Sequence, residues 1–445
     1  MTKESIRNKS TITRFKSSNT SNRMKSTLFL LFILSNFISQ ATYLFIPMDD
    51  SQKNHLKAYG ISFYALEKTL EVDWLLNYRG GSFALKLSDD VLKECKIRGV
   101  SFEVVADVQY NKIVLDITQP AINQDVMKLE KAPTIAVYSP KNKQPWDDAV
   151  TLVMAYAEIP YEVVYDEEII NGDLSRYDWL HLHHEDFTGQ YGKFWSSYRN
   201  APWFKEYVRF NEGLAGKLGF DKVSDLKLAV SLKIKQFVFD GGFMFAMCAA
   251  TDSYDIALAA QNTDICKSMF DGDPNDPQMQ SKLSYLNGFA FKDYTLVTDP
   301  TKYEFSSIDA TDDHFKLFKK KGIQSDVFTL FDFSAKWDPV PTMLCQNHTS
   351  IVKGFMGQTT AFRKENIRSD VLILGQTKSI NSARYIHGEF GKGTWTFYGG
   401  HDPEDHTHRV SDPPTDLNLY PNSPGYRLIL NNVLFPAAKK KKRKT

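Results

Sequence analysis

The chain has 445 residues, 42% of them hydrophobic, with 54 basic and 53 acidic side chains for a formal net charge of +1. That length and composition suit a globular protein of about two domains and exclude a disordered chain. Four cysteines are too few for a disulfide scaffold, and the absence of a basic stripe in the body argues against nucleic acid as a partner.

Residues 1–23 are polar and basic with no apolar periodicity. Met24 to Ala41, MKSTLFLLFILSNFISQA, then starts with Lys25, runs apolar from Thr27 to Ile38, and places small residues at Ser39 and Ala41. This predicts a presequence over 1–41 with a signal peptide at 24–41 and an exported protein, whether periplasmic, cell-surface or secreted. Met24 competes with Met1 as the start. The apolar run is too short to span a bilayer. Removing 1–41 leaves 47 basic and 52 acidic side chains, so the exported body is acidic. Residues 439–445, KKKKRKT, are expected to form a solvated basic tail that touches an anionic surface.

TYLFIPMD (42–49) reads as a buried strand, and QKNHLKAYGISFYALEK (52–68) has helical spacing. Residues 72–87 hold two apolar runs around Arg79-Gly80-Gly81, a hairpin signal. SDDVLKECKIRG (88–99) is a helix between Ser88 and Gly99. SFEVVAD and KIVLDIT read as strands. Together these predict a small N-terminal α/β domain over 42–130.

After Pro133 the rhythm becomes strand, helix, strand. TIAVYSP (134–140), YEVVYDEEI (161–169), YDWLHLHHE (177–185) and FMFAMCAA (243–250) read as strands. Helices are expected at 146–160, over a long stretch near 201–238, and from Ser253. Residues 262–380 break the pattern and predict a β-rich insertion laid over the carboxyl edge. TWTFYGG (394–400) is a last strand with His401 at its end, and Ser423-Pro424 opens a last amphipathic helix. Apolar strands alternating with amphipathic helices imply an α/β fold with a doubly wound, mostly parallel sheet over 131–438. Ligands of such sheets bind at the carboxyl ends of the strands. That edge holds His183, His184 and Glu185 after one strand and Cys248 to Asp252 after another.

A strand, a tight turn carrying Cys248, a helix, and a distant histidine at a strand end resemble the class I glutamine amidotransferase-like, flavodoxin-like fold. FVFDGGFMFAMCAATDSYD (237–255) and FGKGTWTFYGGHDPED (390–405) are similar to its trehalose-utilisation (ThuA-like) branch. YDWLHLHHEDFTGQYGKFW and DPPTDLNLYPNSPGYRLILNNVLFPAA are similar to secreted bacterial chains labelled asparagine synthetase B. The chain carries no SGGxDS-type pyrophosphate loop and no P-loop, which does not suit ATP-driven synthesis. The resemblance implies an amide hydrolase with Cys248 as nucleophile, His401 as base and Glu404 as the acid that orients it. The family's Gly-x-Cys-x-Gly turn is Ala246-Met247-Cys248-Ala249-Ala250 here, and its His-x-Glu is one residue longer.

A thiol in such a turn becomes a nucleophile when a helix N-terminus and a histidine favour the thiolate. The alternative is a semi-buried thiol on the floor of a ThuA-like sugar-binding or sugar-processing site. In either case His183, His184, Glu185, Asp252 and Asp402 are the candidate substrate-binding residues, for a small polar amide or carbohydrate. No cofactor is predicted. A divalent metal is the rival reading of the two histidine clusters, His181/His183/His184 and His401/His406/His408. DGDPND (271–276) is compatible with calcium or with turn capping, and Cys266 and Cys345 are the cysteines most readily paired if any are.

Overall fold

The computed structural model describes residues 41–141, 145–407 and 409–438. The basic tail, His408 and all of the leader before Ala41 lie outside them. Among the described residues no helix is long and apolar enough to cross a membrane.

The N-terminal segment builds a five-stranded antiparallel sheet from β1 (Ala41–Ile46), β2 (Val72–Leu76), β3 (Ser82–Lys86), β4 (Glu103–Ala106) and β5 (Asp125–Leu129), in the order β4-β1-β3-β2-β5. The β2–β3 turn takes Arg79, Gly80 and Gly81 through left-handed angles. A Cβ on Gly80 would fall 2.2 Å from the Met48 carbonyl, so glycine is required there. Helices α1 (His55–Glu67) and α2 (Asp89–Arg98) follow the expected spacing. The stretch KIVLDIT does not form a strand; it belongs to α3 (Asp107–Ile117). Tyr110, Ile113, Val114 and Ile117 recur at helical spacing and pack as one stripe against Phe45 and Leu75, which overrides the strand propensity of the β-branched residues.

A second sheet of ten strands carries the rest. Its parallel part is β6 (Ile135–Tyr138), β7 (Glu162–Val164), β8 (Trp179–Leu182), β9 (Phe243–Met247) and β15 (Gly393–Tyr398). Numbered one to five along the chain, these lie in the order 2-1-3-4-5. Beyond β15 the sheet continues antiparallel through β14 (Ser382–Phe390), β13 (Leu372–Thr377), β10 (Val327–Leu330) and β11 (Ile351–Lys353), with β12 (Phe362–Arg363) paired to β14.

Helices cover both faces. On one, α4 (Ala149–Ala157) and the last helix, α11 (Pro424–Leu434), pack against α1, so one apolar core joins the two sheets. On the other lie α5 (Asp166–Asn171), α6 (Pro202–Lys217), α7 (Val223–Asp240) and α8 (Ala249–Ala259). The long helical stretch near 201–238 divides into α6 and α7, because Gly219 takes a left-handed angle and Phe220 N–H closes back on the Ala215 carbonyl.

The insertion is less β-rich than expected. It includes α9 (Thr311–Lys321) and α10 (Pro339–Leu344), and its strands extend the main sheet rather than forming a separate layer. Its loops return over the carboxyl edge and are pinned by α8. Asp255 accepts the backbone N–H groups of Ala290 and Phe291 at 2.9 Å, and Asp252 accepts the Thr359 hydroxyl at 2.8 Å.

Candidate functional site

Strand register builds the site. Leu182 at the end of β8 lies opposite Ala246, and Met247 at the end of β9 lies opposite Tyr398 at the end of β15. The next residues along each strand leave the sheet at one edge: His183 and His184, Cys248, and Gly399-Gly400-His401. The loop after β6 returns to the same edge with Trp146, Asp147 and Asp148.

Cys248 joins β9 to α8 with φ 54° and ψ −140°. A non-glycine residue held there carries roughly 1–3 kcal/mol of backbone strain. The missing glycines of the turn are replaced by Ala246 and Ala250, both fully buried, whose small side chains still let the turn close. Cys248 is 3% exposed, and its Sγ accepts the Gln358 backbone N–H at 3.3 Å. His401, 6% exposed, lies against both Cys248 and Asp147, its Nε2 3.8 Å from Asp147 Oδ1. Burial works against a charged imidazole, but hydrogen bonding to Asp147 and Cys248 overrides it and lifts His401 to about 10.

The acid expected beside His401 was Glu404. Its carboxylate instead meets the Ser423 hydroxyl and lies 3.8 Å from Lys353 Nζ. The longer His-Asp-Pro-Glu spacing carries it past the imidazole, whereas Asp147 arrives from the β6 loop.

The second group centres on Asp148. Its Oδ1 caps α4, accepting Val150 and Thr151 N–H at 2.8 Å. Its Oδ2 lies 3.1 Å from His181 Nε2 and 3.0 Å from His183 Nδ1, so these alternate residues share one face. The His183 and His184 rings stack at 3.9 Å, and His401 lies 4.8 and 4.7 Å from them. Burial first, and the neighbouring imidazoles next, hold His184 well below its ordinary value; burial, against the pull of Asp148, takes His183 down to about 4.

A cavity of about 540 Å³ opens between the ends of β6 and β8, lined by Tyr138, Trp146, Asp147, His183, His184 and Glu185. It lies outside the carboxyl ends of neighbouring parallel strands, the side of the sheet on which α/β folds bind ligands. The cavity stops one layer short of Cys248 and His401. Glu185 belongs to its wall, and burial raises its carboxyl to about 8. Asp252 and Asp402, also expected to bind substrate, do not line it. Asp252 holds Thr359, and Asp402 accepts the Glu404 and Asp405 N–H groups of its own turn.

No family model matches the chain, and no curated protein matches it. Among solved structures it is similar to two cytoplasmic proteins of Salmonella typhimurium. STM3548 matches at 9% identity over 69% of this chain and 100% of its own, with a TM-score of 0.32. STM1381 matches at 9% over 69% and 99%, with a TM-score of 0.33. Gan42B, a GH42 beta-galactosidase from G., matches at 11% over 61% of this chain and 28% of its own, with a TM-score of 0.26.

Sequence reasoning missed Asp147 and Asp148 as site residues. It also missed Gln358 and Tyr303, which cover Cys248 from the insertion; the Gln358 side chain spans the Gly192 and Tyr303 carbonyls at 2.8 and 2.9 Å. In 271–276, Asp271 and Asp273 lie within 3.1 Å of Lys222 Nζ, which also reaches Asp264, and Asp276 pairs with Lys282. All four cysteines are free thiols; Cys266 Sγ donates to the Thr188 carbonyl and Cys345 Sγ faces that of Leu374.

Proposed function

We propose that the protein is an exported, thiol-dependent amide hydrolase of the class I glutamine amidotransferase-like kind, built on a doubly wound, flavodoxin-like sheet. The observation that carries this reading is Cys248 itself: a strained cysteine at a strand-to-helix turn, with an imidazole against its Sγ.

In this reading Cys248 gives its proton to His401, and the thiolate attacks the amide carbonyl. The carbonyl oxygen takes up the negative charge and is held by the Gln358 N–H and the free N–H groups at the start of α8. The C–N bond breaks as the imidazolium protonates the leaving nitrogen. Water, activated by the neutral imidazole, then hydrolyses the thioester and regenerates the thiol. Asp147 takes the orienting role expected of Glu404. His183, His184 and Glu185 line the cavity that receives the polar substrate.

A second reading, a ThuA-like sugar-binding module without a nucleophile, is favoured by one fact: the cavity does not reach the thiol. Iodoacetamide labelling of Cys248 across pH separates the two. The hydrolase reading expects rapid labelling well below about pH 8. It expects labelling about tenfold slower in His401→Ala and Asp147→Asn, and unchanged in Glu404→Gln. It also expects ammonia release from an amide panel that is lost in Cys248→Ala. An ordinary thiol profile, indifferent to His401, would retire it in favour of the binding module.

A further inference from the structure

Three imidazoles meet at the carboxyl edge. The nitrogens of His183, His184 and His401 lie within 4.8 Å of one another. They come from the ends of two strands, β8 and β15, whose register the sheet fixes. A neutral imidazole ligates metal through one nitrogen while the other is held by a partner, commonly a carboxylate. His183 has that arrangement. Its Nδ1 is 3.0 Å from Asp148 Oδ2, and Asp148 is fixed in turn by capping α4. The contact is one of charge and lies outside hydrogen-bond geometry; the carboxylate favours the proton on Nδ1 and the lone pair on Nε2. Neither ring nitrogen has a hydrogen-bond partner among the described residues, although His183 is only 1% exposed. A buried acceptor left in this way costs about 1–3 kcal/mol, which a ligand recovers.

The surroundings suit an ion as well. Trp146 packs its ring edge-on to His184 and stacks on Phe194, making one dry wall. The cavity reaches His183, His184 and Asp147 and gives a path of entry. Nitrogen donors of this kind select zinc-class ions over calcium or magnesium, which take oxygen ligands.

We infer that His183, His184 and His401 bind one zinc-class divalent ion, and that the ion and Cys248 compete for His401. The second half rests on the reading of His401 as the partner of the thiol; the first half does not. An imidazole that ligates the ion through the nitrogen facing Cys248 no longer accepts the thiol proton. The ion is therefore a reversible inhibitor of the hydrolase, and its removal frees the base.

The test uses the full-length mature protein, stripped of metal with a chelator and titrated with cobalt(II) alone. One equivalent is expected to bind with the visible absorption of a tetrahedral nitrogen-ligated site. Affinity is expected to fall at least about tenfold in His184→Ala, in the conservative His184→Gln, and in Asp148→Asn, which removes the charge that orients His183. Cys248→Ala is expected to bind as the wild type does. Zinc is expected to slow iodoacetamide labelling of Cys248 about tenfold in the wild type and not in His184→Gln. Absence of a tetrahedral cobalt site, or affinity indifferent to His184 and Asp148, or affinity lost with Cys248, overturns the site. Cobalt binding as expected, with an unactivated Cys248 at every metal concentration, keeps the site and overturns the competition together with the thiol reading. Rapid labelling at Cys248 that bound metal does not change keeps the hydrolase and overturns the competition, while the cobalt spectrum alone decides the site.

Discussion

Asp148 and Asp326 are both acids with two imidazoles against them, and their surroundings differ. Around Asp326 a buried guanidinium balances the carboxylate and closes the cluster in charge, although Arg384 Nε and His406 Nδ1 have no hydrogen-bond partner among the described residues. Arg384 Nη2 lies 2.6 Å from each carboxylate oxygen, His314 Nδ1 lies at 2.9 Å, and His406 Nε2 lies at 3.2 Å. The other nitrogen of His314 meets Ser382 at 3.0 Å, and the second arm of Arg384 meets the Phe355 carbonyl. The ion pair is fully buried. Around Asp148 the bonding stays open on one side. His183 keeps an acceptor with no partner among the described residues, a cavity adjoins it, and a strained cysteine stands one strand away. Residue types alone do not separate the two clusters. What separates them is a cation on the acid of one and a cavity beside the other, and the cluster that adjoins a cavity is the one that can meet a ligand.

The largest expected effect breaks the closed cluster. Arg384→Ala leaves Asp326 and two imidazoles buried without their cation, which costs roughly 3–5 kcal/mol. His184→Ala, at the open cluster, removes a half-buried ring beside a cavity and is expected to cost under about 1 kcal/mol. Urea unfolding of the two variants measures the difference. Equal losses would erase the distinction between scaffold and site.

Acidity sharpens the comparison next, because His401 titrates with the opposite sign to the other buried imidazoles, those of both clusters and His387 outside them. Burial, seconded by the Arg384 charge, lowers His314 to about 4, and burial lowers His387 to about 4. Such groups take up protons more readily when unfolded, so between about pH 6.5 and 4 the unfolded chain binds more protons and stability falls with pH. Each contributes on the order of 2–3 kcal/mol over that window. His401, lifted to about 10, does the reverse: its contribution is complete below about 6.5 and is lost as pH rises through 10. Thermal melts should show an acid limb that flattens in His387→Gln, where glutamine can keep the hydrogen bond to Thr396. They should show an alkaline limb that flattens in Asp147→Asn. An alkaline limb indifferent to Asp147 would mean that Asp147 does not hold the charge on His401.

Much of the open cluster was legible because it follows strands. Apolar runs alternating with helical stretches placed β6, β8, β9 and β15, and a parallel sheet brings their carboxyl ends together, so His183, His184 and Cys248 could be set on one edge, with His401 paired to Cys248 through the family resemblance. Asp147 could not be, since two acids before an apolar helix read as caps, and Asp148 is one. Its second task depends on how the β6 loop turns, which no local period records. Glu404 failed for a related reason, in that one added residue in a turn redirects a side chain. Asp252 looked like a site residue and proved to be a pin, because its partner Thr359 lies more than a hundred residues away in the insertion. The closed cluster was nearly opaque: His314, Asp326, Arg384 and His406 come from four segments, and His406, expected to group with His401, lies against Asp326 instead.

The smallest effect tests the strain at Cys248 directly. Replacing cysteine by alanine removes Sγ and leaves the backbone where it is; replacing it by glycine removes Sγ and Cβ and lets φ 54°, ψ −140° be adopted freely. At an ordinary helical position glycine is less stable than alanine by about 0.5–1 kcal/mol, the penalty of its extra freedom when unfolded. Lys316, exposed within α9, is such a position, and Lys316→Gly should fall below Lys316→Ala by about that amount. At Cys248 the order should invert, with Cys248→Gly more stable than Cys248→Ala by about 1 kcal/mol. Paired urea melts of the four variants read the sign without needing the substrate or the metal. Inversion at Cys248 alone would mean that the fold holds a side chain in a conformation it disfavours, as nucleophile turns do. The same order at both positions would mean that the turn is relaxed, and the thiol would lose the feature that sets it apart from the three other free cysteines.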